Sequence, residues 1–421
     1  MRTPSLAIIF LTVFIDLVGF GLVLPLLPNY SRSFGATGLQ IGFIMAAYSA
    51  MQFLCAPAWG VLSDRIGRRP VLLVSTAGNA VSYLIFALGS SMTGSTALWV
   101  ILLSRVFAGI CGANISVAQA YIADITPPED RSRRMGLIGM AFGLGFIVGP
   151  ALAVVSRHYL GVMGPGGVAA VICAANFAMA LVRLPESWKP GVSPPVRRAR
   201  LSQFRHVMNR PVVGFLVMVF FLATFGFTCF ESTLGLLIQQ NFALDDPTAA
   251  RTNAILFCFC GVIGAVVQTG PIGRLVKRMG EPKLIALSLI VFGLSLLPLP
   301  FIHGKTGLGL QGLVSAGAGA WWMILGSVAF LAVGSGLTRP PLFGLLSNLT
   351  PAEEQGGTLG VAQSAGSLAR VLGPLFSGFL FDRHPSWPYL ACGLLAVATG
   401  WLAWRKLVSG TAEDRRTTRP S

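Results

Sequence analysis

The sequence predicts an all-α polytopic membrane protein, with twelve transmembrane helices in two pseudo-symmetric six-helix bundles. Three observations carry this expectation. Of the 421 residues, 54% are hydrophobic and only 11% charged, with a mean hydropathy of +0.72, which is too little charge to cover the surface of a water-soluble domain. Apolar stretches long enough to cross a bilayer recur from end to end. Features of the first half return in the second. The first observation excludes a large soluble enzyme. The second argues against a β-barrel, whose strands alternate in segments of about ten residues.

The first apolar run covers 6–27, and Asp16 is its only charged residue. It is longer than the core of a signal peptide and has no small-residue cleavage site, so a retained span is expected. Breaks at charged or Gly/Pro-rich points then give spans at roughly 5–28, 39–62, 71–91, 97–123, 135–157, 166–184, 211–240, 248–272, 283–302, 320–347, 358–381 and 387–404. At about 1.5 Å per residue each crosses a hydrocarbon core of about 30 Å, several with tilt. Residues 1–184 make the first bundle and 211–404 the second. Between them, 185–210 is a Pro-rich, basic linker, and 405–421 is a tail.

The net charge of +16 follows the topology rather than a nucleic-acid surface. With both termini in the cytoplasm, most Lys and Arg fall in cytoplasmic segments: Arg65, Arg68 and Arg69 after the second span, Arg183 to Arg210 in the linker, Arg274 to Lys283 after the eighth, and Arg405 to Arg419 in the tail. That is a positive-inside pattern for a multi-pass cell-membrane protein, and the compact chain suits a bacterial inner membrane. The seven cysteines all lie in spans and have no histidine-backed ligand spacing, so they read as small buried residues, with no metal site. No nucleophile–base constellation points to an enzyme.

The halves repeat. DITPPEDRSRRMG (124–136) matches NLTPAEEQGGTLG (348–360), and at the same offset Gly149-Pro150 meets Gly373-Pro374. GVLSDRIGRR, starting at Gly60, matches GRLVKRMGEP, starting at Gly273, with Lys277 at the position of Asp64. Six-helix halves with weak internal similarity point to a duplicated transporter.

On these residues the sequence resembles the major facilitator superfamily over about 5–404. The loop Gly60-Val-Leu-Ser-Asp64-Arg65-Ile-Gly67-Arg68-Arg69 is similar to the family's signature loop between spans 2 and 3. Leu103-Ser-Arg105-Val-Phe-Ala-Gly109 resembles a second family motif, and Gly145-Phe-Ile-Val-Gly149-Pro150 the first part of the antiporter motif. That motif usually ends in Gly-Gly, where this chain has Ala153-Val154. FIDLVGFGLVLPLLP (14–28) resembles the first helix of the tetracycline and multidrug proton antiporters.

The resemblance implies that the signature loop is a conformational gate. In it Asp64 meets the positive N-terminal end of span 11, which begins at Gln355. Arg68 is expected to pair with Asp124 at the end of span 4. Gly60 and Gly67 suit close backbone approach and a tight turn. Gly145, Gly149 and Pro150 allow close packing and a bend in span 5.

Of the 15 acids only Asp16 and Glu231 lie well within spans, with Arg105, Arg339 and Arg370 as the intramembrane cations. Such groups face a cavity or each other. Asp16 is about 15 Å into its helix, at mid-membrane. Loss of water and a nearby guanidinium act on a carboxyl's charge in opposite senses. That leaves two readings: a proton carrier, or a structural partner of Arg105. Glu231 is a candidate for substrate or proton handling, and Arg370 for an anionic group. Arg339 precedes two prolines, whose freed carbonyls are its expected partners.

The favoured reading is a secondary active transporter working by alternating access. It would export small amphipathic compounds such as tetracycline-like drugs in exchange for protons, without a cofactor beyond the proton gradient, and act as a monomer in the bilayer. Two alternatives stay open: a metabolite or organic-anion porter, and a non-transporting membrane sensor or scaffold.

Overall fold

The computed structural model describes residues 5–126, 131–187, 200–269, 271–304, 307, 309–314, 318–350 and 354–409. Residues 188–199 of the expected linker and 410–421, most of the expected tail, lie outside the described residues. Twelve helices among the described residues are long and apolar enough to cross a membrane. They are α1 Leu6–Ser33, α2 Gly38–Ala56, α3 Arg68–Ser90, α4 Gly94–Asp124, α5 Met140–Leu160, α6 Gly164–Arg183, α7 Pro211–Asn241, α8 Asp246–Gln268, α9 Glu281–Phe301, α10 Gly319–Asn348, α11 Gly357–Phe381 and α12 Trp387–Val408. No strand occurs among the described residues. The twelve spans correspond one to one with those expected from hydropathy. Several extend further, because polar residues at a span's end keep their helical hydrogen bonds outside the hydrocarbon.

Local sequence accounts for the breaks. α2 begins with a capping box: Gln40 N–H donates to Thr37 Oγ1 at 3.2 Å, and Thr37 N–H donates to Gln40 Oε1 at 2.9 Å. Helical backbone continues past Ala56 to Ile66, where Gly67 at φ +101° turns the chain into α3. Gly280, at φ +78°, makes the equivalent turn before α9, so both copies of the repeated loop use the left-handed freedom that only glycine has at little cost. In α1 the stretch with Pro25 tightens to a 3-10 turn at Leu24–Leu26, because proline supplies no N–H to the α ladder. A similar turn in α4, Gly112–Asn114, carries a side chain that matters below.

The chain forms two compact units, Met1–Val196 with Asp246–Gly261, and Arg197–Asp245 with Val262–Ser421. The sequence boundary at 211 places all of α8 in the second bundle, whereas its first part groups with the first unit. There Asn253 Nδ2 donates to the Pro25 carbonyl at 2.5 Å. Within the first unit α1 packs on α5 and α6, and α3 on α4 and α6. Within the second, α7 packs on α11 and α12, and α9 on α10 and α12. Adding six to each helix number converts one set into the other, the packing counterpart of the sequence repeat.

Glycine makes these seams tight, as lipid-solvated helices require. A Cβ on Gly149 would stand 2.5 Å from the carbonyl carbon of Gly21, and one on Gly21 would stand 2.6 Å from the Gly145 carbonyl oxygen. Gly145, Gly149 and the adjoining Pro150 therefore lie in the seam between α5 and α1. The α3–α6 seam is built the same way, with Gly166 against the backbone of Ala87.

Gly149→Ala should lower stability by about 1–3 kcal/mol, because backbone, not a movable side chain, occupies the space. Gly143→Ala, with no described atom near the added methyl, should be neutral or gain up to about 1 kcal/mol from helix propensity. Thermal unfolding of the two variants in detergent measures the contrast.

Candidate functional site

The loop between α2 and α3 holds a charge network centred on the buried Arg68. Arg68 donates through Nη1 to Ser63 Oγ at 2.7 Å and to the Asp64 carboxylate, and through Nε to Asp124 Oδ2 at 3.1 Å. The Arg68–Asp124 pair expected from the sequence is thus formed. Ser187 Oγ donates to the same Asp124 oxygen at 3.0 Å.

Two residues then tie α3 to α6 reciprocally. Glu186 accepts the backbone N–H groups of Arg68 and Arg69 at 2.9 and 3.1 Å, satisfying donors that the first turn of α3 leaves open. Arg69 donates to the carbonyls of Leu184 and Leu181, both at 2.8 Å, closing the end of α6. Gly67 fits under the Glu186 carboxylate, where any Cβ would collide. Arg65 is exposed. Gly60 corrects the sequence reading: no described atom lies near the position of its absent Cβ, so it mediates no close approach.

Asp16 sits among carboxamides. Asn114, on the 3-10 turn of α4, donates to Asp16 Oδ2 at 2.8 Å, and Asn176 of α6 donates to Oδ1 at 3.1 Å. Asn79 of α3 is a third carboxamide beside it. Asn176 also donates to the Thr12 carbonyl at 2.9 Å, one turn earlier on α1. The three asparagines are buried, while Asp16 is only partly so.

Arg105 does not join them. Among the described residues no ion pair links it to Asp16. Its guanidinium lies 5.4 Å from the centre of the Tyr83 ring and 5.2 Å from that of Phe86. The expected structural pair is replaced by amide donors at one end and aromatic faces at the other.

In the second unit Glu231 is 7% exposed on α7, and Arg370 and Arg339 are the cations within electrostatic reach of it. Arg370 Nη2 donates to Ser367 Oγ at 3.0 Å. Arg339 departs from expectation. It makes no hydrogen bond to carbonyls freed by Pro340 and Pro341 among the described residues, and stands 5.5 Å from the Phe220 ring centre instead.

Sequence reasoning missed Glu186, Ser187 and the three asparagines. Asn79, Asn114 and Asn176 each interrupt an apolar span, a signal that a search for charges alone passes over. Glu186 was hidden at the start of what read as a linker.

The sequence profile of the Major Facilitator Superfamily matches residues 9–319 and 270–420. The chain belongs to this superfamily. Among superfamily proteins with curated descriptions it is 33% identical to the class C tetracycline resistance protein of Escherichia coli, over 92% of both chains. It is 32% identical to the class E protein of the same organism, over 94% of this chain and 93% of that one. Multidrug resistance protein 2 of Bacillus subtilis is 26% identical over 91% of this chain and 90% of its own. Of solved major facilitator structures, the human organic anion transporter MFSD10 superposes with a TM-score of 0.64 at 26% identity, covering 96% of this chain and all of that one. The nucleoside transporter NupG superposes at 0.75 with 10% identity, over 94% of this chain and 98% of that one, a likeness of fold alone.

Glu186→Ala should cost about 1 kcal/mol by uncapping α3, with Glu186→Gln, which keeps one acceptor oxygen, in between. Denaturation midpoints of the three proteins, compared at one pH, test the order.

Proposed function

We propose that this chain is a proton-coupled exporter of small amphipathic compounds, tetracycline-like drugs among them, working by alternating access with both termini in the cytoplasm of a bacterial cell. The observation that carries the reading is the setting of Asp16. It is a partly exposed carboxyl in the middle of a span, held by neutral amides. Among the described residues no cation pairs with it, so gaining or losing one proton changes the charge of the site by a full unit inside the bilayer, where charge is costly. The names of the relatives, tetracycline and multidrug resistance proteins, supply the substrate class. Outside protonation and inside release at Asp16 would then drive each cycle. Glu231, Arg339 and Arg370 are offered as the second bundle's contribution to substrate or proton handling.

The loop network around Asp64, Arg68 and Asp124 is read as the gate. It ties three charges to the start of α3, which holds the loop in a fixed shape. Gly145, Gly149 and Pro150 would let α5 and α1 adjust together during the switch.

A second reading, an organic-anion porter, is favoured by the likeness to the human organic anion transporter and by three arginines in the spans. Proteoliposomes separate the two. Under an imposed pH gradient the first predicts export of cationic and amphipathic dyes by the wild type, abolished in Asp16→Asn. Flux of organic anions with no dye-linked proton movement would favour the second. Asp64→Asn should slow turnover with little change in substrate affinity, since a gate acts on the conformational step and not on the bound ligand; wild-type turnover in that variant would refute the gate.

A further inference from the structure

Arg105 is 1% exposed, and its Nη2 has no hydrogen-bond partner among the described residues. Its Nε has only Ser104 Oγ, at 3.5 Å. Its guanidinium lies over the faces of Tyr83 and Phe86, themselves 3% and 0% exposed. Phe86 stacks on Tyr30 with ring centres 6.1 Å apart, and Arg157 lies over Tyr30 at 4.6 Å, its Nη1 likewise buried without a partner among the described residues. Two guanidiniums thus share one aromatic stack inside the first unit. No ion pair to either is formed among the described residues, and the one acid deep in these spans, Asp16, is taken up by asparagines.

Ring faces return part of the cost of burying a guanidinium. They accept no N–H in the way an oxygen or halide does, and removing a full charge from water costs more than two such contacts supply. What the site lacks is a negative charge of small size, at the open Nη2 of Arg105. Guanidinium N–H groups are directional donors suited to a carboxylate or a compact inorganic anion. A divalent anion would overcompensate at Arg105 alone.

We propose that Arg105, walled by Tyr83 and Phe86, is a binding site for a small monovalent anion within the first bundle, and that Arg157 raises its affinity as a second cation on the same stack. The occupant is either an inorganic ion such as chloride or the carboxylate end of an organic solute. Both present the same compact charge to Nη2. This assigns Arg105 a role other than partner of Asp16, and it stands on the first unit alone, independently of the proton-coupling reading.

The test is the melting temperature of the purified full-length protein in detergent. Sodium chloride and sodium acetate are titrated separately against sodium isethionate at constant ionic strength. A rise of about 2–4 °C with chloride supports an inorganic occupant, and a rise with acetate but not chloride supports a carboxylate. The rise should vanish in Arg105→Gln and shrink in Arg157→Gln. No rise with either anion in the wild type overturns the proposal, and needs no variant to fold. So does a rise that persists undiminished in Arg105→Gln. Dye export under a pH gradient is measured on the same purified proteins after reconstitution into proteoliposomes. Absence of the anion effect in the wild type with export intact rejects this site alone, whereas absent wild-type export with an anion effect rejects proton-coupled export and leaves the site standing.

Discussion

Hydrocarbon offers no hydrogen bond, so each polar group that enters a span must find its partner on a neighbouring helix or on its own backbone. Most of the structure's particulars follow from that. Ser and Thr side chains in the spans turn back to carbonyls three or four residues earlier, as Thr12 does to Ile8 at 2.9 Å. Asn241, at the end of α7, closes the carbonyls of Pro300 and Ile302. Asp16 accepts amide donors from α4 and α6 at one point on α1, with Asn79 of α3 beside them, which makes a single carboxylate the meeting place of four helices.

Satisfying polar groups this way demands that helices come close, and small residues permit it. Gly21 and Gly149 bring α1 and α5 to backbone contact, and Gly166 brings α6 to α3. With the seams fixed, the positions of Asn79, Asn114 and Asn176 around Asp16 are fixed too.

The two halves share packing but not charge. Helix pairings repeat with a shift of six, and Gly67 and Gly280 make matching turns. Yet the first loop encloses Arg68 between Asp64 and Asp124, while the second presents Lys277 where the acid would stand. The first bundle holds an acid among neutral amides and an arginine among rings. In the second, Glu231 lies within reach of Arg339 and Arg370. Duplication preserved the scaffold that buries backbone, and the ionisable groups diverged on it. The superposition with a transporter only 10% identical makes the same point across the superfamily, since function resides in the site rather than in the fold.

The sequence by itself determined the twelve spans, the repeat, the signature loop and the Arg68–Asp124 pair, because each rests on local pattern: run length, spacing and charge at a helix end. It also marked Asp16 and Arg105, since a charge in an apolar run is visible without a structure. It did not determine what surrounds them. Which face of α4 meets α1 depends on the 3-10 turn at Gly112–Asn114 and on glycine seams between distant helices. That geometry, and not proximity in depth, gave Asp16 to three asparagines and Arg105 to Tyr83 and Phe86. Glu186 was unreadable for the same reason: it caps a helix more than a hundred residues away in the chain, and only tertiary contact brings its carboxylate to those N–H groups.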